Sequence, residues 1–150
     1  MTEKHNPEYH PDNHGIDREA EYALLESRVA EALQLASKGG ADQAEASASL
    51  QGGLNTTVRL GEVETIEHTR DRGLSVTVYL GRSKGHASSA DLSLGSLRSS
   101  VQHALDIARF TAADPCNGLA DKARMATEFR DLDLWHPGPL DAERAIERCI

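Results

Sequence analysis

Cysteine and aromatic residues are scarce in this chain, and a long apolar run is missing altogether. Cys116 and Cys149 are the only cysteines. Two are too few for a disulfide framework, and no CxxC pair is present to grip a metal or cycle electrons, so both are expected to be reduced thiols. With Phe, Trp and Tyr at only 4%, a core must be built from Ala, Leu, Val and Ile, which favours close approach of helices to a sheet. The early apolar run from Tyr22 to Leu25 is far too short to span a bilayer, and no signal peptide precedes it. A cytoplasmic protein without a membrane partner is expected, and the glycosylation triplet Asn55-Thr56-Thr57 is then a chance match. Basic charge is also short: 16 Lys and Arg against 24 Asp and Glu leave a formal net charge of -8. Such a field repels phosphate backbones, so no nucleic acid is expected as a partner, and a polypeptide or another subunit suits the chain better.

Catalytic patterns are missing too. None of the seven histidines is followed by Glu, so there is no HExxH helix of the kind that holds zinc beside a general base. His68, His86 and His103 each lack a second ligand at helical or strand spacing and read as surface or partly buried polar residues. His5, His10 and His14 are close together in a polar leader, where a chain without fixed geometry binds metal only adventitiously. The run from Gly81 to Gly85 resembles a phosphate loop only superficially, because a strand follows where a helix N-terminus is required; it reads as a cationic hairpin turn. Arg70, Asp71 and Arg72 read as a second charged turn. Ser88, Ser89, Ser93, Ser96, Ser99 and Ser100 have no partnering base at a motif spacing, and Glu62, Glu64 and Glu67 form no visible carboxylate dyad. No catalytic, cofactor-binding or metal-ligating residue is therefore assigned to this chain.

What is present is a regular alternation of elements. Residues 1–16 carry Pro7, Pro11 and Gly15 with few apolar side chains, and are expected to form a disordered tail. Asp17 is an N-cap candidate for a helix whose stripe of Leu25, Val29, Ala32, Leu33 and Ala36 ends at Gly39-Gly40. Period-two alternation then predicts about five strands. The first is carried by Ala44 to Leu50, and a turn is expected at Gly52-Gly53. The second runs from Leu54 to Leu60, with a turn at Gly61-Glu62. Val63 to Thr69 form a polar third strand, in which Val63 and Ile66 fall out of phase and imply a bulge or an edge. Leu74 to Leu80 form the fourth and His86 to Ala90 the returning fifth. Ser93 caps a second helix with Leu97, Val101, Ala104, Leu105 and Ala108 on one side, ended by Asp114-Pro115. The stretch from Asp114 to Arg130 reads as loop, 131–135 as a short strand, Pro137-Gly138-Pro139 as a break, and Asp141 as the cap of a third helix. The expected fold is thus α+β: a helix, an antiparallel meander, a helix and the start of a further helical segment. In domains this gives the tail, a unit over 17–130, and 131–150 as linker and start of the next, truncated segment. The apolar stripe of the last helix is still running at Ile150, so the chain is expected to be the front of a longer protein.

The run GLSVTVYLG at 73–81 followed by KGHASSADLS at 84–93 resembles the PmbA/TldE branch of the TldD/PmbA metalloprotease family. GADQAE at 40–45 and VRLGEVE at 58–64 flank it. ALDIARFT at 104–111, Asp114-Pro115, GLAD at 118–121 and DLDLWHP at 131–137 follow in the family's order. Gly138 departs from the pattern, standing where a large aromatic is common. The resemblance covers about residues 25–150. It implies a subunit of a cytoplasmic protease that trims small unfolded peptides and was once described as a modulator of DNA gyrase. Members of this branch generally lack the zinc motif and pair with a TldD-type subunit in a hollow dimer. Zinc is therefore expected in the TldD-type partner and no cofactor in this chain, with a self-dimer as the other form of association. The residues alone also fit a reading of another class, a free-standing protein-interaction module with no proteolytic role.

Overall fold

A computed structural model describes residues 18–128, 130–134 and 141–150. The tail with its three histidines, the cap candidate Asp17, Trp135 and Pro137-Gly138-Pro139 lie outside the described residues. The elements are α1 (Arg18–Lys38), β1 (Gln43–Arg59), β2 (Glu62–Leu80), β3 (Ser83–Ser89), α2 (Leu94–Phe110), a short 3-10 turn (Lys122–Arg124) and α3 (Ala142–Cys149). The strands form one antiparallel sheet in the order β1-β2-β3.

Three strands stand where about five were expected. Gly52 and Gly53 do not turn the chain; they sit in the ladder opposite Arg70 and Thr69, and the Arg70-Asp71-Arg72 triplet is likewise mid-strand. Two adjacent glycines permit a turn without requiring one. The apolar phase passes unbroken through Leu50 and Leu54, as one continuous strand demands. The reversals that do occur are tight. Leu60 (φ 53°) and Gly61 (φ 82°) make the first, one residue earlier than expected, with both central residues left-handed as the mirror-image hairpin turn requires. Gly81 (φ 60°) and Arg82 make the second, so Ser83 and Lys84 already belong to β3.

The expected irregularity in the polar strand is a β-bulge. Thr57 pairs with Thr65 and Val58 with Val63, which leaves Glu64 as the extra residue. The bulge restores the phase: Val63 opposite Val58 and Ile66 opposite Thr56 come to the same face as Leu54.

α1 and α2 cover one face of the sheet. Ala32 and Ala36 from α1 and Leu97, Val101, Ala104, Leu105 and Ala108 from α2 pack with Leu74, Val76 and Val78 of β2 into the core. Alanines let the layers approach closely, and at one point backbone meets backbone: a Cβ on Gly85 would lie 1.9 Å from the carbonyl oxygen of Ala104. Leu74, Leu97, Val76 and Val78 are fully buried, each contributing about 1.5–3 kcal/mol through removal from water. Ser93 caps α2, its hydroxyl accepting from the Ser96 amide at 3.2 Å. The helix stops at Phe110, short of Asp114-Pro115, because the Thr111 amide and hydroxyl both close on the Ile107 carbonyl. Residues 131–134 form no strand; Asp131 instead accepts from the Asp133 amide in a local turn, with Asp133 at φ 49°. Asp141 caps α3 as expected, accepting from Glu143, and α3 packs on β1.

Candidate functional site

The third strand ends where β2 reaches Leu74, paired with Ser89. Beyond that point β1 and β2 continue as a two-stranded ribbon as far as Arg59 opposite Glu62. On its helix-side face Val63 and Ile66 are each 44% exposed, and Leu60 at the tip is 96% exposed. At the base of the ribbon Arg70 and Arg72 donate to the same carboxylate oxygen of Glu21 in α1, at 2.5 and 3.0 Å. The second oxygen of Glu21 is buried with no hydrogen-bond partner among the described residues. Sequence spacing could not reveal this cluster, because its members are 49 and 51 residues apart.

The other face of the sheet is small and polar. Ser47, Ser49, Ser75 and Ser88 line a shallow depression, and the Ser47 and Ser75 hydroxyls bond at 2.8 Å. No acid or imidazole lines it. Nearer the Gly81-Arg82 turn the chain following α2 crosses to this face. The Asp114 amide and the Asn117 side-chain amide both donate to the Arg82 carbonyl, Arg82 donates to the Asn117 carbonyl at 2.6 Å, and the Leu119 amide donates to Gln43. The expected cationic hairpin turn is present and its Arg82 also clamps the following chain, and Tyr79 and Thr77 on this face are buried.

The residues weighed from the sequence do not converge. His86 lies 3.1 Å from the Thr77 hydroxyl on β3, His68 sits on the ribbon opposite Leu54, and His103 is exposed on α2. Glu62, Glu64 and Glu67 are exposed on the ribbon, with Glu64 3.8 Å from Arg59. Among the serines, Ser89 and Ser96 bond to each other at 2.7 Å and Ser93 serves as a cap. Cys116 and Cys149 are free and exposed. Among the described residues no group of three or more His, Cys, Asp or Glu side chains could hold a metal ion, so the donor set for a zinc site is missing there. Asp91 is held below the usual aspartate range by the Ser93 hydroxyl, with a further bond from the Ser93 amide. Among the described residues no helix is long and apolar enough to cross a membrane.

Comparison with known proteins shows which family shares this helix-backed sheet. A family profile described as PmbA/TldA metallopeptidase domain 1 matches residues 44–108, from β1 into α2. Metalloprotease PmbA of Escherichia coli O157:H7 is 47% identical over 129 residues, 86% of this chain. The chain belongs to the PmbA/TldD metalloprotease family. The metalloprotease PmbA homologue of Haemophilus influenzae is 41% identical over 126 residues, 84% of this chain. The chain spans 28% of the length of each of these two relatives. Among solved structures the fold matches TldE from Thermococcus kodakarensis with a TM-score of 0.59 at 12% identity, over 75% of this chain and 26% of that one. It also matches a candidate modulator of DNA gyrase from Bacteroides thetaiotaomicron with a TM-score of 0.56 at 21% identity, over 71% of this chain and 24% of that one. At such identities these two likenesses speak to the fold.

Proposed function

We propose that this chain is the amino-terminal domain of a PmbA/TldE-type subunit in a cytoplasmic metalloprotease complex that acts on small unfolded peptides. The observation that carries the reading is the 47% identity to metalloprotease PmbA over most of the chain. Zinc belongs to a TldD-type partner, where it supplies an activated water and polarises the scissile carbonyl. The domain's own part is structural. Its helix-backed sheet forms a wall beside the peptide path, and its polar outer face and projecting ribbon are available for contacts between subunits.

The test is a cleavage assay on an unfolded peptide, with and without a chelator. It uses the chain alone, the complete subunit that carries it, and that subunit mixed with a TldD-type protein. Cleavage is expected only in the mixture and should stop when the chelator is added. Chelator-sensitive cleavage by the chain alone would overturn the assignment.

A further inference from the structure

The ribbon leaves the sheet across a line of glycines. Gly73 on β2 lies opposite Ser49, while Gly52 and Gly53 on β1 lie opposite Arg70 and Thr69. Gly73 is the first residue outboard of Leu74, where the third strand ends, and Gly52 and Gly53 lie further along, opposite Arg70 and Thr69. None of them has the left-handed φ seen at Gly61 and Gly81, so no turn explains their presence. Close packing does not explain Gly52 either, since a Cβ there would meet nothing nearer than the Thr69 carbonyl at 3.9 Å. Glycine inside a strand weakens it through entropy and leaves no side chain to stiffen the pleat. Three of them in the first part of the ribbon, beyond the step from three strands to two, make a stretch of low bending resistance.

A charged connection from the ribbon to α1 crosses the same stretch. Arg70 and Arg72 flank the glycine line and share one Glu21 oxygen, with Glu21 largely buried and the arginines partly exposed. We infer that the ribbon is a hinged arm that bends at Gly52, Gly53 and Gly73 and is latched to the helix layer by the Arg70–Glu21–Arg72 cluster. Release of the latch lets the arm swing toward or away from the helix side, which covers or uncovers the stripe of Val63 and Ile66. Because the latch is ionic and its cations reach solvent, it weakens with salt as the screening length falls from about 10 Å at 0.1 M to about 3 Å at 1 M.

The arm's motion is read as a distance distribution between spin labels at Glu62→Cys on the ribbon and Ser99→Cys on the exposed side of α2, with Cys116 and Cys149 changed to Ser. At 0.05 M salt the distribution is expected to be narrow. It should widen by about twofold or more in 1 M NaCl, and equally in Glu21→Ala, a change that α1 accepts without loss of helix propensity. Adding Gly52→Val to Glu21→Ala should narrow it again, because a β-branched residue stiffens the strand where there is space for it. A width unmoved by both salt and Glu21→Ala removes the latch. A width that Gly52→Val leaves broad puts the bend elsewhere and removes the hinge. The salt arm needs no further substitution, so the idea stays open to refutation even if Glu21→Ala folds poorly.

Discussion

The two ends of β2 live in different physical worlds. From Leu74 to Tyr79 the strand has neighbours on both edges and helices over one face, and Leu74, Val76 and Val78 are buried. From Glu62 to Arg72 it has β1 on one edge only, and every residue is exposed. An isolated two-stranded ribbon is marginal in water, whereas a third strand and a packed helix layer make the other end stable on its own. The same strand therefore provides a rigid scaffold at one end and a soft projection at the other. The glycines show the difference. Gly85 exists because α2 leaves no room, while a Cβ on Gly52 would make only an ordinary contact with the Thr69 carbonyl.

The largest expected effect tests that contrast directly. Gly85→Val drives a side chain into the Ala104 carbonyl and the Ala108 amide of α2, at 1.9 and 2.6 Å from the new Cβ. A loss of about 3 kcal/mol or outright unfolding is expected. Gly52→Val should leave stability within about 1 kcal/mol of the original, on the stabilising side. Urea unfolding of both variants decides the point, and equal losses would dissolve the distinction between the two ends.

Truncation of apolar side chains gives the next largest difference. Leu97 is fully buried in α2 and Ile66 is half-exposed on the ribbon. Leu97→Ala should cost about 3 kcal/mol, and Ile66→Ala less than about 1 kcal/mol. A cost at Ile66 as large as that at Leu97 would mean that the ribbon face is packed in solution, and would point to association between copies. Sedimentation would reveal that.

The ribbon tip should respond in the opposite direction. Leu60 adopts a left-handed φ of 53° while almost wholly exposed, a conformation that costs an L residue with a bulky side chain about 1 kcal/mol. Leu60→Asn creates the Asn-Gly pair that this hairpin turn prefers. It should protect the ribbon amides from hydrogen exchange while leaving exchange in the three-stranded half unchanged. Faster exchange across the ribbon would show that Leu60 contributes a contact.

Much of this fold is legible in the residues, and the failures have a common cause. The helices, the strand from Leu74 to Leu80, the Ser93 cap and the bulge implied by Val63 and Ile66 all follow from local periodicity or local capping. Three strands stand for five because residue type alone marks Gly52-Gly53 and Arg70-Asp71-Arg72 as turns, whereas the apolar phase from Leu50 to Leu54 demands a continuous strand. The Glu21 cluster, the Arg82 clamp and the Gly85 contact are long-range meetings, and period carries no information on them. The candidate site was hardest to read for another reason. The resemblance to the family rests on the order of short residue runs such as GLSVTVYLG at 73–81, and such runs do not say which side chains meet.

The smallest effect concerns the junction between the sheet and α2. Asp91 accepts from the Ser93 amide at 2.8 Å with one oxygen and from the Ser93 hydroxyl at 2.7 Å with the other. Because that hydroxyl spends its proton on Asp91, its lone pairs are free to receive the Ser96 amide and cap the helix. Both bonds favour the charged carboxylate, so Asp91 has a lower pKa folded than unfolded, below the ordinary value of 3.8. The sign follows. The contribution is complete above the unfolded value and is lost as pH falls through 3.8 toward the lower folded value. Asp91 is fully exposed, so the effect belongs in a local readout, the Ser93 and Ser96 amide resonances, and not in the global stability. Their titration should have a midpoint below 3.8. Asp91→Asn should abolish it, since the amide can still accept from the Ser93 backbone but its NH2 cannot take the hydroxyl proton. A midpoint at or above the ordinary aspartate value would show that the relay from Asp91 through Ser93 to the start of α2 does not form in solution.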